Sequence, residues 1–299
     1  MRPPRNIVAP TPVKPKKLGR HAILFNVGAG VIILAGWYTA VQTTFFPSDP
    51  ETCATRFERS TTLSLDAGGE QRSAADFQAA ANGRDAGVVE NLSIRREPGG
   101  RIPTSMVVKF DEQSSKPLRD GQANGGVTFP WESRMFEGKT SACLSYSVLI
   151  PADFKFGGGG TLPGLVSIVS GEAAEPGAGF QYHPVWNRHG EIILSAYVNN
   201  SDSPHPTFFA KRPMRISTGK WVRIDQELVL NSPGKADGIS RLWINGAVAA
   251  EVYETAMRRS ADVKIGPVAV DVHFGGNGLE SLSPKAQSLA ISPIEMRWN

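Results

Sequence analysis

Four consecutive glycines, Gly157–Gly160, lie between two strand-like apolar patterns, and no other stretch constrains the fold of this chain as strongly. Upstream, Cys143–Ile150 (CLSYSVLI) alternates small or polar with apolar side chains, the period of a half-buried strand. Downstream, Pro163-Gly164 forces a turn before a second apolar run, Leu165–Val169. Glycines cannot fill a core; they permit a bend or the close approach of another group. The local reading is strand, open Gly-rich connection, tight turn, strand.

The same texture continues along the chain. With 299 residues, 31 of them Gly and 22 Pro, short strands separated by turn signals argue for one all-β sandwich rather than an α/β fold. No internal repeat or phosphate-binding glycine motif is present. The net charge of +4 comes from the N-terminus, where Arg2, Arg5, Lys14, Lys16, Lys17 and Arg20 precede the first acidic residue, Asp49. The remainder is near neutral, which predicts no nucleic-acid partner and no broad cationic field.

Ala22–Ala40 holds no charged residue, and the uncharged run continues to Ser48. About twenty such residues span a bilayer core. The spacing predicts a transmembrane signal-anchor helix over 22–44, and the basic flank puts residues 1–21 in the cytoplasm as a disordered tail. The C-terminal domain then faces the periplasm from a bacterial inner membrane. A cleaved signal peptide is the alternative, but Tyr38-Thr39-Ala40 makes a poor small-x-small cleavage site. Residues 45–90 read as a membrane-proximal linker with a short helix within 66–87, and regular strand patterns run from Asn91 to Asn299. In an oxidising compartment the only cysteines, Cys53 and Cys143, pair as a disulfide; the alternative is a buried Cys143 and an unrelated Cys53. Without a CxxC motif or a histidine pair nearby, they do not read as a zinc site.

FKFGGGGTLPGL at Phe154–Leu165 resembles the GGKLPGL element of the family-14 polysaccharide lyases, a jelly-roll group that includes alginate and glucuronan lyases. Further matches follow in order. Gly179–Trp186 (GFQYHPVW) resembles the family's Phe-Ser-x-Arg-x-x-Trp strand, and Glu191–Val198 (EIILSAYV) falls where the family has Tyr-x-Tyr. Gly219–Asn231 with Asp237–Gly246 resembles a strand pair shared by concanavalin-like glycan-active domains, and Phe274-Gly275-Gly276 resembles the closing FGG. The resemblance implies a concanavalin-like β-jelly-roll acting on a uronate-containing polysaccharide by β-elimination. Its active groups would line the concave face of one sheet.

Such a reaction needs one group on the substrate carboxylate, a base for the C5 proton and an acid for the leaving oxygen. Against the family pattern, Thr161 stands at the lysine, Gln181 and His183 at the Ser-x-Arg pair, and Ser195 and Tyr197 at Tyr-x-Tyr. Only Tyr197 keeps the family residue. Gln181 and His183, two apart on a strand, share one face. Gln-x-His is similar to an element of the family-7 alginate lyases, which implies an amide on the carboxylate and an imidazole base, with Tyr197 as acid. Lys155, Thr161, Ser195, Lys211 and Arg212 are the candidate substrate contacts. The bland readings are solvent-facing polarity for Gln181, a strand-end role for His183, and packing or a sugar platform for Tyr197. Trp186, Trp221 and Trp243 read as core. No cofactor is required, and neither His205 nor His273 has metal-ligand spacing. The second function class is a catalytically inactive glycan-binding scaffold serving exopolysaccharide synthesis or export machinery.

Overall fold

The computed structural model describes residues 31–38, 50–116, 125–169, 179–199, 205–275 and 279–299. The chain divides into two units, Met1–Asp49 and Pro50–Asn299. In the first, residues 31–38 form a helix whose side chains are exposed; the rest of the expected 22–44 span and the tail lie outside the described residues. No helix among the described residues is long and apolar enough to cross a membrane.

The second unit is an all-β sandwich. Its strands are β1 (Arg59–Leu63), β2 (Asp66–Ala67), β3 (Glu70–Gln71), β4 (Leu92–Arg96), β5 (Thr104–Phe110), β6 (Val127–Trp131), β7 (Ser141–Leu149), β8 (Gly159–Thr161) and β9 (Gly164–Val169). They continue with β10 (Phe180–Asn187), β11 (Ile192–Val198), β12 (Thr207–Phe209), β13 (Trp221–Val229), β14 (Gly238–Ile244), β15 (Ala247–Thr255), β16 (Val263–Phe274), β17 (Gln287–Ile291) and β18 (Ile294–Trp298). One sheet runs β15-β14-β13-β7-β17-β5-β4, with β18 joining β7 to β1; the other runs β12-β11-β10-β8-β16-β6, with β9 between β10 and β16. Alternation decides which side chains meet between the sheets. Ala142, Leu144, Tyr146 and Val148 of β7 oppose Phe180, Tyr182 and Trp186 of β10 and Val268, Val270, Val272 and Phe274 of β16 in one buried core. An ideal Cβ on Gly160 would lie 2.0 Å from Cζ2 of Trp186, so a side chain there would evict that ring from the core.

Residues 50–90 are integral to the sandwich rather than a linker ahead of it. β1 pairs along its whole length with β18, the last strand of the chain. The short helix α1 (Ala74–Ala81) starts at a capping box, with Ser73 Oγ accepting from Asp76 N and Asp76 Oδ2 accepting from Ser73 N. It buries Phe77 against Phe129, ring centroids 5.8 Å apart. Phe77→Ala should cost about 3–5 kcal/mol, since it empties a ring-sized volume in a packed core; denaturant unfolding measures it, and an unchanged midpoint would mean that α1 is not part of the cooperative unit.

Ahead of β1, residues 50–58 lie on the outer face of the larger sheet. There Cys53, Phe57, Cys143, Trp243 and Val248 form a second buried cluster, and Cys53 is disulfide-bonded to Cys143 with Cα atoms 5.7 Å apart. Trp243 donates from Nε1 to the carbonyl of Pro50 at 2.9 Å. Arg56 and Arg241 neutralise the nearly buried Glu227 from both sides, at 2.8 and 2.9 Å. A carboxylate removed from water needs such partners.

Candidate functional site

The smaller sheet turns the other face of its strands away from the core. On β10, Phe180, Tyr182 and Trp186 point inward, so Gln181, His183 and Val185 point outward. Register then places the neighbours. Gln181 lies opposite Tyr197, and His183 opposite Ser195, which is itself opposite Phe208 of β12. Thr161 sits between Val185 and His273, and Asp271 opposite Thr128. Four strands thus bring Thr161, Gln181, His183, Ser195, Tyr197, Asp271 and His273 onto one face. Tyr197 is a diagonal neighbour of His183, a separation within reach of long side chains.

His183 is the centre of this group. Its Nδ1 lies 3.1 Å from the Leu162 carbonyl, and its Nε2 lies 3.8 Å from Oδ2 of Asp271. A carbonyl only accepts, so the neutral ring carries its proton on Nδ1 and presents Nε2 as a lone pair. Asp271 in turn accepts a hydrogen bond from Thr128 Oγ1. The turn glycine Gly164 is what lets the ring sit there, since a Cβ at that position would fall 2.6 Å from Nδ1 of His183. The side chain of His183 is 9% exposed and that of Asp271 19%, whereas Gln181 is exposed and Ser195 and Tyr197 are half-buried.

His273 is held differently. Its Nδ1 meets the carbonyl of Phe274 at 2.8 Å. Burial pushes its pKa down to about 4; the carbonyl and Asp271 pull it partly back, while Lys116 and His183 lower it further. The ring is therefore neutral at neutral pH. A histidine whose folded pKa lies below its ordinary value of 6.5 contributes stability that is complete above 6.5 and is lost as pH falls towards 4. Melting temperature should accordingly drop on acidification through that window, and His273→Gln should flatten the drop; an unchanged acid dependence in the variant would assign it to other groups.

Not all the expected contacts converge. The backbone of Lys155 is clamped in both directions by the side chain of Gln287, on the other sheet. Lys211 pairs with Glu251 at 3.4 Å and donates its backbone N–H to Ala249, both on β15. Arg212 follows it on the exposed segment after β12. Trp186 and Trp243 are core, but Trp221 is half-buried on an outer face. Asp271 and His273 escape a reading by metal-ligand spacing. Their signal is the period of two in Asp271-Val272-His273, just before Phe274-Gly275, which puts both on one face of a strand. Among the described residues, no group of three or more His, Cys, Asp or Glu side chains is placed to hold a metal ion.

The sandwich is similar in fold to known enzymes. An alginate lyase from a Chlorella virus superposes with a TM-score of 0.62 at 18% identity, covering 80% of this chain and 99% of that one. A marine alginate lyase from Aplysia kurodai gives 0.59 at 19% identity, covering 72% and 89%. A third alginate lyase, solved as a variant with an alginate trisaccharide bound, gives 0.57 at 15% identity, covering 81% and 99%. None of the curated proteins matches the sequence. The sequence profile of polysaccharide lyase 14, however, matches residues 100–293, well over half of the chain and all the strands that build the His183 face. This chain belongs to the polysaccharide lyase 14 family.

Proposed function

We propose that this protein is a membrane-anchored lyase whose periplasmic domain cleaves an acidic, uronate-containing polysaccharide by β-elimination. The observation that carries the reading is the His183–Asp271 pair beside Gln181 and Tyr197 on one sheet face. The Gln181 amide hydrogen-bonds the substrate carboxylate and acidifies C5. Nε2 of His183 takes the C5 proton, and Asp271 stabilises the imidazolium that results. The electrons of the broken C–H bond form the C4–C5 double bond. The C4–oxygen bond breaks, and Tyr197 gives its proton to the departing oxygen. The step as written needs no cofactor.

The uncharged segment 22–44 behind a basic flank supports anchoring in a bacterial inner membrane. So do the exposed side chains of Val31, Ile32, Ile33, Leu34, Trp37 and Tyr38 on the 31–38 helix. A second reading, a glycan-binding scaffold of exopolysaccharide synthesis or export, is favoured by two observations: His183 is only 7% exposed, and Thr161 and His183 stand where the family resemblance has cations. Ultraviolet absorbance of the conjugated C4–C5 double bond separates the two. Growth of that signal on a panel of polyuronates supports the lyase; binding without it, by protein shown to be folded, supports the scaffold.

A further inference from the structure

Trp221 opens β13 in the larger sheet. Val222 beside it is buried in the core, so Trp221 and Arg223 project from the outer face of that sheet, on the opposite side of the sandwich from His183. A cavity of about 690 Å³ lies there, lined by Arg101, Ser217, Lys220, Trp221, Arg223 and Asn245 and by no acidic side chain. Its wall is fixed in place. Asn245, in the left-handed conformation, donates its N–H to the carbonyl of Arg223 at 2.9 Å and accepts from the N–H of Arg223 through Oδ1 at 2.8 Å. That leaves its amide nitrogen as a donor at the rim. The Arg223 guanidinium is held on the buried carboxylate of Asp225, at 2.9 and 3.0 Å. Asp225 also accepts from Ser145 at 2.6 Å. Arg101 and Lys220 are exposed and, among the described residues, form no ion pair.

We propose that this groove is a second, non-catalytic docking site for an acidic oligosaccharide segment. The face of a sugar ring matches an indole, and carboxylates match a guanidinium and an ammonium at its edge. One aromatic and two unpaired cations suit a sugar segment better than a nucleic acid, whose binding needs a longer basic stripe. The choice of a uronate as the acid rests on the function proposed above; the groove itself does not. A polymer held there would stay near the enzyme between cleavage events, raising its effective concentration at the His183 face.

Calorimetric titration of the full chain with an alginate-derived uronate oligosaccharide tests this. Arg101→Glu with Lys220→Glu, both exposed positions, should weaken binding by roughly tenfold or more and remove most of its salt dependence. Elimination from short oligosaccharides should stay unchanged in this variant. Gln181→Ala with His183→Ala should leave the groove-dependent binding in place. Wild-type affinity in the charge-reversed variant would overturn the inference, and so would competition by duplex DNA or anionic phospholipid vesicles as effective as that of the sugar. A chain that binds through the groove but forms no double bond sinks the lyase reading and leaves this one standing.

Discussion

Replacing His183 with alanine should lower the rate of double-bond formation on a polyuronate by roughly a thousandfold, within the range that a positioned general base contributes. The reasoning is geometric. The Leu162 carbonyl at 3.1 Å holds the proton on Nδ1, so Nε2 is the lone pair available for the C5 proton. Asp271, 3.8 Å from Nε2, then faces the imidazolium. His183→Gln keeps the volume and a donor for Leu162 but has no basic nitrogen, so it should be almost as slow while melting near the wild-type temperature. Asp271→Asn should be slower by a smaller factor, because the imidazolium that forms on His183 loses the carboxylate facing it. Initial rates of ultraviolet absorbance read all three. Near-wild-type turnover in His183→Gln would remove His183 from the reaction.

The second large effect is on stability. Cys53→Ser with Cys143→Ser should cost about 4–5 kcal/mol, the chain-entropy value for opening a loop of this length. The two cysteines are 90 residues apart. That is a large part of the 5–15 kcal/mol that stabilises a typical domain. The loss has a local component too. Residues 50–58 cover Trp243 and bring Arg56 to Glu227, whose side chain is only 2% exposed. Freed from Cys143, that segment would uncover apolar surface and half-undress a buried carboxylate. Guanidinium unfolding with and without reductant measures this on the native sequence, and the serine pair repeats it without thiol chemistry. Coincident curves would mean that apolar packing, not the bridge, holds the segment.

The alternation of strands β7, β10, β11 and β13 was legible in the residues because a period of two is local: each side chain's face follows from its neighbours. The same rule put Gln181 with His183, and Ser195 with Tyr197. It also puts Asp271 with His273, a pair that metal-ligand spacing does not single out. What no local pattern holds is the meeting of β10 with β16 around β8. That arrangement sets Asp271 against His183, and it depends on Gly160 clearing Trp186 and on Gly164 clearing the His183 ring. Residues 50–63 illustrate the same limit. Their short, polar-rich composition reads as linker, yet β1 finds its partner in β18 at the far end of the chain, and Cys53 finds Cys143 across the sheet. Trp221 has the strand context of a core residue and ends on an outer face, because its inward neighbour Val222 takes the core position. Periodicity is a property of consecutive residues, so it survives in a one-dimensional reading. Register between distant strands, and the carboxylate that register delivers to an imidazole, are settled by packing alone.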